Sequence, residues 1–133
     1  MERQAKILLV DDDPDFVEAT KTVLESKYQV NTAYNGDEGL NKVLEERPDL
    51  IILDVVMPGK DGFAVCKELK ENPHYYFFRN IPVLLLTVFP RGHEKTNIPI
   101  IAGVTTEAEG YVQKPVSPEE LLRQVEELLK KYG

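Results

Sequence analysis

Ala5-Lys6-Ile7-Leu8-Leu9-Val10 runs without a break into Asp11-Asp12-Asp13-Pro14. An aliphatic run with no polar alternation is the pattern of a strand buried on both faces, as in a parallel sheet. Asp13 ahead of Pro14 supplies an N-cap and a proline at the first helical position. Phe16, Val17, Thr20, Val23 and Leu24 then recur at helical spacing. One strand delivering a cluster of carboxylates into the start of a helix is therefore written into the first 24 residues.

The unit repeats along the chain. Tyr28 to Tyr34 reads as a second strand closed by Asn35-Gly36, and a helix carrying Leu40, Val43 and Leu44 on one face ends at Pro48. Asp49 to Val55 is another aliphatic strand that again meets an aspartate, Asp54. Pro58-Gly59-Lys60-Asp61-Gly62 is turn chemistry, and Phe63 to Glu71 is helical, with Phe63, Cys66 and Leu69 aligned. Pro82 to Thr87 and Tyr111 to Gln113 supply two further strands. Ser117-Pro118-Glu119-Glu120 has the form of a capping box before the stripe Leu121, Leu122, Val125, Leu128 and Leu129. Alternating strands and amphipathic helices predict a parallel α/β sheet covered on both faces. Parallel strands need a crossover, yet Pro90, Gly92, Pro99 and Gly103 interrupt residues 89–109, so the helix there is expected to be short or irregular.

Composition bounds what such a sheet can do. With 133 residues the chain fits one domain, expected over 1–133 with its core at about 5–132. A net charge of −7 argues against direct nucleic-acid binding, which needs clustered Lys and Arg. Cys66 is the single cysteine, so no disulfide framework or thiolate metal cluster is available. No secretory signal and no membrane-spanning apolar run is visible, and a cytoplasmic location is the expectation.

Ligands of open parallel sheets bind at the carboxyl ends of the strands. Those ends carry Asp11, Asp12, Asp54, Thr87 and Lys114. Three carboxylates brought together repel by several kcal/mol at an effective dielectric of about 20. Lys114 offsets part of that, and a hard cation such as Mg²⁺ would offset the rest while also binding phosphate. The set therefore suits phosphoryl transfer, which needs positioning and charge neutralisation. Asp54 is the candidate nucleophile, and Thr87 and Lys114 are candidates to hold phosphoryl oxygens. Asp13 is read as an N-cap and left out of the metal set. His74 and His93 read as solvated and Cys66 as core; Tyr75-Tyr76-Phe77-Phe78 reads chiefly as loop packing, with a partner-binding patch as the alternative.

Taken together, Ile7-Leu8-Leu9-Val10-Asp11-Asp12-Asp13, Pro48 through Asp54 to Met57-Pro58 with Asp61-Gly62, Leu86-Thr87, and Tyr111-Val112-Gln113-Lys114-Pro115 resemble the receiver domain of two-component response regulators. The resemblance extends from Lys6 to about Tyr132. It implies a flavodoxin-like fold with five parallel strands in the order 2-1-3-4-5. It implies that Asp54 accepts phosphate from a histidine kinase or histidine phosphotransfer protein, with Mg²⁺ held by Asp11, Asp12, Asp54 and the backbone carbonyl of Val56. Thr87 and Lys114 would bind the phosphoryl group, Thr87 and Tyr111 would form the switch, and the Lys114–Pro115 bond would be cis. The phosphorylated form would change binding to a downstream protein not identified by the sequence, with a homodimer possible; no membrane partner is implied. Val88, where the family prefers a small residue, is expected to narrow access to Asp54, and the Asp54–Thr87 and Thr87–Lys114 spans look a few residues long.

Three other readings use the same residues. A Mg²⁺-dependent phosphohydrolase of the haloacid-dehalogenase type places a second acid two residues past its nucleophile, and Val56 stands there. A flavin carrier would meet repulsion between its phosphate and the strand-end acids. A receiver fold that is never phosphorylated would serve as a binding scaffold.

Overall fold

The computed structural model describes residues 4–87 and 108–132. The expected crossover helix within 89–109, Val88 and His93 lie outside the described residues, except that Ala108 and Glu109 are described. Strands β1 (Lys6–Val10), β2 (Gln29–Ala33), β3 (Leu50–Asp54), β4 (Val83–Thr87) and β5 (Gly110–Gln113) form one sheet. Its order is β2-β1-β3-β4-β5, and every pairing is parallel. The α-helices are α1 (Pro14–Leu24), α2 (Gly36–Glu46), α3 (Gly62–Glu71) and α4 (Pro118–Tyr132), with a 3-10 segment at Pro73–Phe78. Among the described residues no helix is long and apolar enough to cross a membrane.

The aliphatic runs are unbroken because alternate residues serve two different cores. Leu8, Val10, Ile51, Leu53, Val83 and Leu85 pack with Leu40 and Val43 of α2 and Val65, Cys66 and Leu69 of α3. Ile7, Leu9, Leu50, Ile52, Leu84 and Leu86 point the other way, onto Val17 and Leu24 of α1 and Leu121 and Val125 of α4. The period-2 alternation of a strand thus meets a 3.6-residue helical stripe on each face. β2 is one of the two edge strands and carries the polar sequence that an edge tolerates.

Local signals fix the ends. Asp13 caps α1, accepting from the Asp15 and Phe16 N–H groups at 3.1 and 3.4 Å. Asn35 and Asp61 cap α2 and α3 in the same way. Ser117 Oγ accepts from the Glu120 N–H at 3.1 Å, while the Glu120 carboxylate turns along the helix to Arg123 and Gln124. The 3-10 segment divides the aromatic cluster. At three residues per turn, positions i and i+3 share a face, so Tyr75 is buried and Phe78 packs against the core. Tyr76 and Phe77 are left 56% and 92% exposed.

Candidate functional site

The carboxyl edge of the sheet gathers its side chains by backbone register. Asp54 ends β3 opposite Leu86, one residue before Thr87, and the Lys114 N–H donates to the Thr87 carbonyl at 2.7 Å. The Asp11 N–H donates to the Ala33 carbonyl at 3.1 Å, continuing the β1–β2 ladder past Val10. Asp11, Asp54 and Thr87 are buried, whereas Asp12 is exposed. One carboxylate oxygen from each of Asp11, Asp12 and Asp54 lies within 4.8 Å of the others.

Lys114 answers this concentration of charge. Its Nζ lies 2.8 Å from Asp11 Oδ2 and 3.6 Å from Asp54 Oδ1, over the Phe16 ring at 4.6 Å from its centroid. Burial works against the ammonium, but the two carboxylates outweigh it and hold its pKa above the ordinary value. Asp11 Oδ1 accepts from the Asp13 N–H at 3.0 Å. Asp54 is the least well compensated. Burial and then the Asp11 charge push it from 3.8 up to about 6, against Lys114 and a hydrogen bond from the Val56 backbone N–H.

That shift has a definite sign in stability. Between about pH 4 and 6 the unfolded chain loses the Asp54 proton before the folded chain does, so stability falls as pH rises across that window. Above it the ionised carboxylate costs the metal-free fold on the order of 3 kcal/mol. Asp54→Asn is therefore expected to be the more stable protein at pH 7 in chelator, and to have a flatter profile between pH 4 and 6. Urea unfolding across that range checks it; a variant less stable than the parent at pH 7 would refute the repulsion.

The site residues read from the sequence fall as follows. Asp11, Asp12, Asp54 and Lys114 converge. Thr87 stands at the end of β4 with its Oγ1 buried and without a hydrogen-bond partner among the described residues. Tyr111 is half-buried and packs toward the α2–α3 face. The Lys114–Pro115 bond is cis. His74 is exposed and Cys66 is buried. Two contributors were not singled out: the Phe16 ring beneath Lys114, and Gly62, whose N–H donates to the Val55 carbonyl at 2.9 Å. A Cβ on Gly62 would sit 2.4 Å from the Asp54 carbonyl oxygen. The sequence signals for both are spent on other meanings, a helix face and a turn.

The fit to a cation and an oxyanion rests on these features. A hard-oxygen donor set with surplus negative charge suits Mg²⁺, and a buried hydroxyl without a partner suits an incoming oxygen, since such groups are costly when left unpaired.

The sequence profile of the response regulator receiver domain matches residues 7–126. The chain belongs to that family. This receiver domain is 38% identical over 127 residues to the alkaline phosphatase synthesis transcriptional regulatory protein PhoP of Bacillus subtilis, covering 95% of the chain and 49% of that relative. It is 37% identical over 129 residues to the response regulator PleD of Caulobacter vibrioides, covering 93% and 26%. The receiver therefore spans about half, or less, of the length of these curated relatives. Among solved structures it resembles the receiver domain of a signal transduction histidine kinase from Syntrophus aciditrophicus, with TM-score 0.80, 35% identity and coverage of 96% of this chain and 91% of that one. A CheY-like receiver from Methanospirillum hungatei gives TM-score 0.77 and 27% identity, with coverage of 98% and 97%.

Proposed function

We propose that this receiver is a phosphorylation switch whose acceptor is Asp54, acting as one unit over about residues 5–132. The observation that carries the reading is the meeting of Asp54 with Asp11, Asp12 and Lys114, with the unpartnered Thr87 hydroxyl on the adjoining strand. These relatives include a transcriptional regulatory protein and a signal transduction histidine kinase. The receiver is what they share, which supports switching rather than any one output.

In this mechanism an ionised Asp54 oxygen attacks the phosphorus of a phosphohistidine on a kinase or phosphotransfer protein. The P–O bond forms as the P–N bond breaks, and the departing imidazole nitrogen takes a proton from water, leaving an aspartyl phosphate. Lys114 and the Thr87 hydroxyl engage the phosphoryl oxygens, as fixed charge and donor. Asp11, Asp12, Asp54 and the Val56 carbonyl would hold Mg²⁺, which when bound supplies neutralisation of the carboxylates and the transferred group. Burial of Asp54 keeps water away from the reacting centre. A filled site biases Thr87 and Tyr111, and through them a surface that binds a downstream protein or a second copy.

Acetyl phosphate with Mg²⁺, followed by intact mass, tests this. One phosphoryl group should be gained at pH 7, little should be gained with chelator, and none should be gained by Asp54→Asn. With Mg²⁺ present, uptake should fall as the pH is lowered, because a protonated Asp54 cannot attack. Uptake by Asp54→Asn equal to the parent's would move the acceptor elsewhere, and no uptake at any Mg²⁺ concentration would favour the scaffold reading.

A further inference from the structure

The amino edge of the sheet carries a second feature. Between the end of α2 and the 3-10 segment lies a groove of about 610 Å³, lined by Leu44, Arg47, His74, Phe77 and Phe78. Phe77 is 92% exposed and Tyr76 beside it 56%, with the Arg79 guanidinium stacked 4.0 Å from the Tyr76 centroid. Neighbouring exposed aromatics on a rim that also carries Arg are the composition of binding surfaces rather than of ordinary solvent-facing loops. Arg47 takes up the left-handed backbone conformation that ends α2, φ 52°, and its guanidinium has no ion pair among the described residues.

Charge decides the occupant. The chain carries −7 overall, yet among the described residues the titratable side chains lining this groove are Arg47 and His74, with no carboxylate. A second copy docked with this groove on the two-fold axis would bring Arg47 against its own mate. Nucleic acid needs several clustered Lys and Arg, and among the described residues this groove offers only Arg47. We propose that the groove docks a short segment of a partner protein, a bulky apolar side chain entering beside Phe77 and a flanking Asp or Glu pairing with Arg47. Arg47 precedes β3 and the 3-10 segment precedes β4, so the groove lies a strand length, about 15 Å, from Asp54. It therefore serves as a tether that holds a partner whether or not the switch is phosphorylated.

A phage-displayed library of short random peptides, selected against the intact chain, tests this. Enriched peptides should combine a large apolar residue with Asp or Glu. Their affinity should fall about tenfold or more in Phe77→Ser and in Arg47→Glu, and stay unchanged in Asp54→Asn. Selection on Arg47→Glu should shift to Lys- or Arg-bearing peptides. Phe77 is so exposed that its replacement leaves the fold intact, which a matching urea midpoint confirms. The proposal fails if nothing is enriched, if the enriched peptides are neutral or basic, or if they bind Phe77→Ser as well as the parent. Sedimentation showing a dimer lost in Phe77→Ser, or a Phe77-dependent affinity for single-stranded polyuridine, would assign the face to those partners and overturn it. Binding that needs Asp54 would also overturn it, by making the groove part of the switch.

Discussion

Lys70→Met is expected to lower the unfolding free energy by about 3 kcal/mol, with the denaturant slope unchanged. Lys70 Nζ is only 5% exposed at the side chain. It donates to the Arg79 and Ile81 carbonyls at 2.9 and 2.7 Å and to both Glu109 oxygens at 3.2 Å. Glu109 Oε1 accepts in turn from the Val83 N–H at 2.8 Å, so one ammonium ties α3, the approach to β4 and the start of β5. Methionine preserves the apolar stem that packs beneath the charge. What it removes is the cation, leaving a largely buried carboxylate uncompensated and two carbonyls short of a donor. Losing one partner of a buried pair costs about 3–5 kcal/mol; the Val83 N–H that stays on Glu109 keeps this case at the lower end. The double variant Lys70→Met with Glu109→Gln separates charge from packing, since glutamine still accepts from Val83 without a charge. It should recover at least about half of the loss. A single variant within about 1 kcal/mol of the parent, or a double variant no better than the single, would show that the ion pair is not what fastens this edge.

This pair also marks where sequence reading stops. The strand-end residues Asp11, Asp54, Thr87 and Lys114 were legible because in a parallel sheet every aliphatic run delivers its last residue to the same edge. Position along the chain then maps directly onto position in space. Lys70 and Glu109 have no such map. They are 39 residues apart, one on a helix whose apolar stripe says nothing about its lysines and one preceding a short edge strand. The aromatic cluster failed for a different reason. Tyr75 to Phe78 is uniformly aromatic, and only the three-residue period of the 3-10 segment separates buried Tyr75 and half-buried Phe78 from the exposed pair. Helical and extended templates give neither partition, so the sequence alone could not tell that two of the four rings pack inward while the other two stay exposed.

Gly62→Ala is expected to damage both fold and function, although most glycine-to-alanine changes in helices stabilise them. In a helix interior alanine gains about 1 kcal/mol over glycine, and less at the first residue, which Gly62 is. Against this stands a Cβ placed 2.4 Å from the Asp54 carbonyl oxygen, 2.7 Å from Val55 Cα and 3.0 Å from Asp54 C. These are backbone atoms of β3 and the turn after it, so no rotamer change relieves the overlap, and overpacking of that kind costs about 1–3 kcal/mol or more. The net expectation is a loss of about 2 kcal/mol. The displaced atoms belong to Asp54 itself and to the residue after it, so the carboxylate proposed as acceptor moves with them. Misplacing a reacting group by about 1 Å can cost about a hundredfold in rate, and phosphoryl uptake from acetyl phosphate should slow by about tenfold to a hundredfold. Gly59→Ala supplies the contrast. Its φ is +76°, and a Cβ there meets nothing within 4 Å, so it pays left-handed strain of about 1–2 kcal/mol without touching Asp54. Its uptake rate should match the parent's. Urea unfolding with an intact-mass time course on both variants separates the two effects, and a Gly62→Ala protein as stable and as fast as the parent would mean that the β3–α3 contact does not hold Asp54 in place.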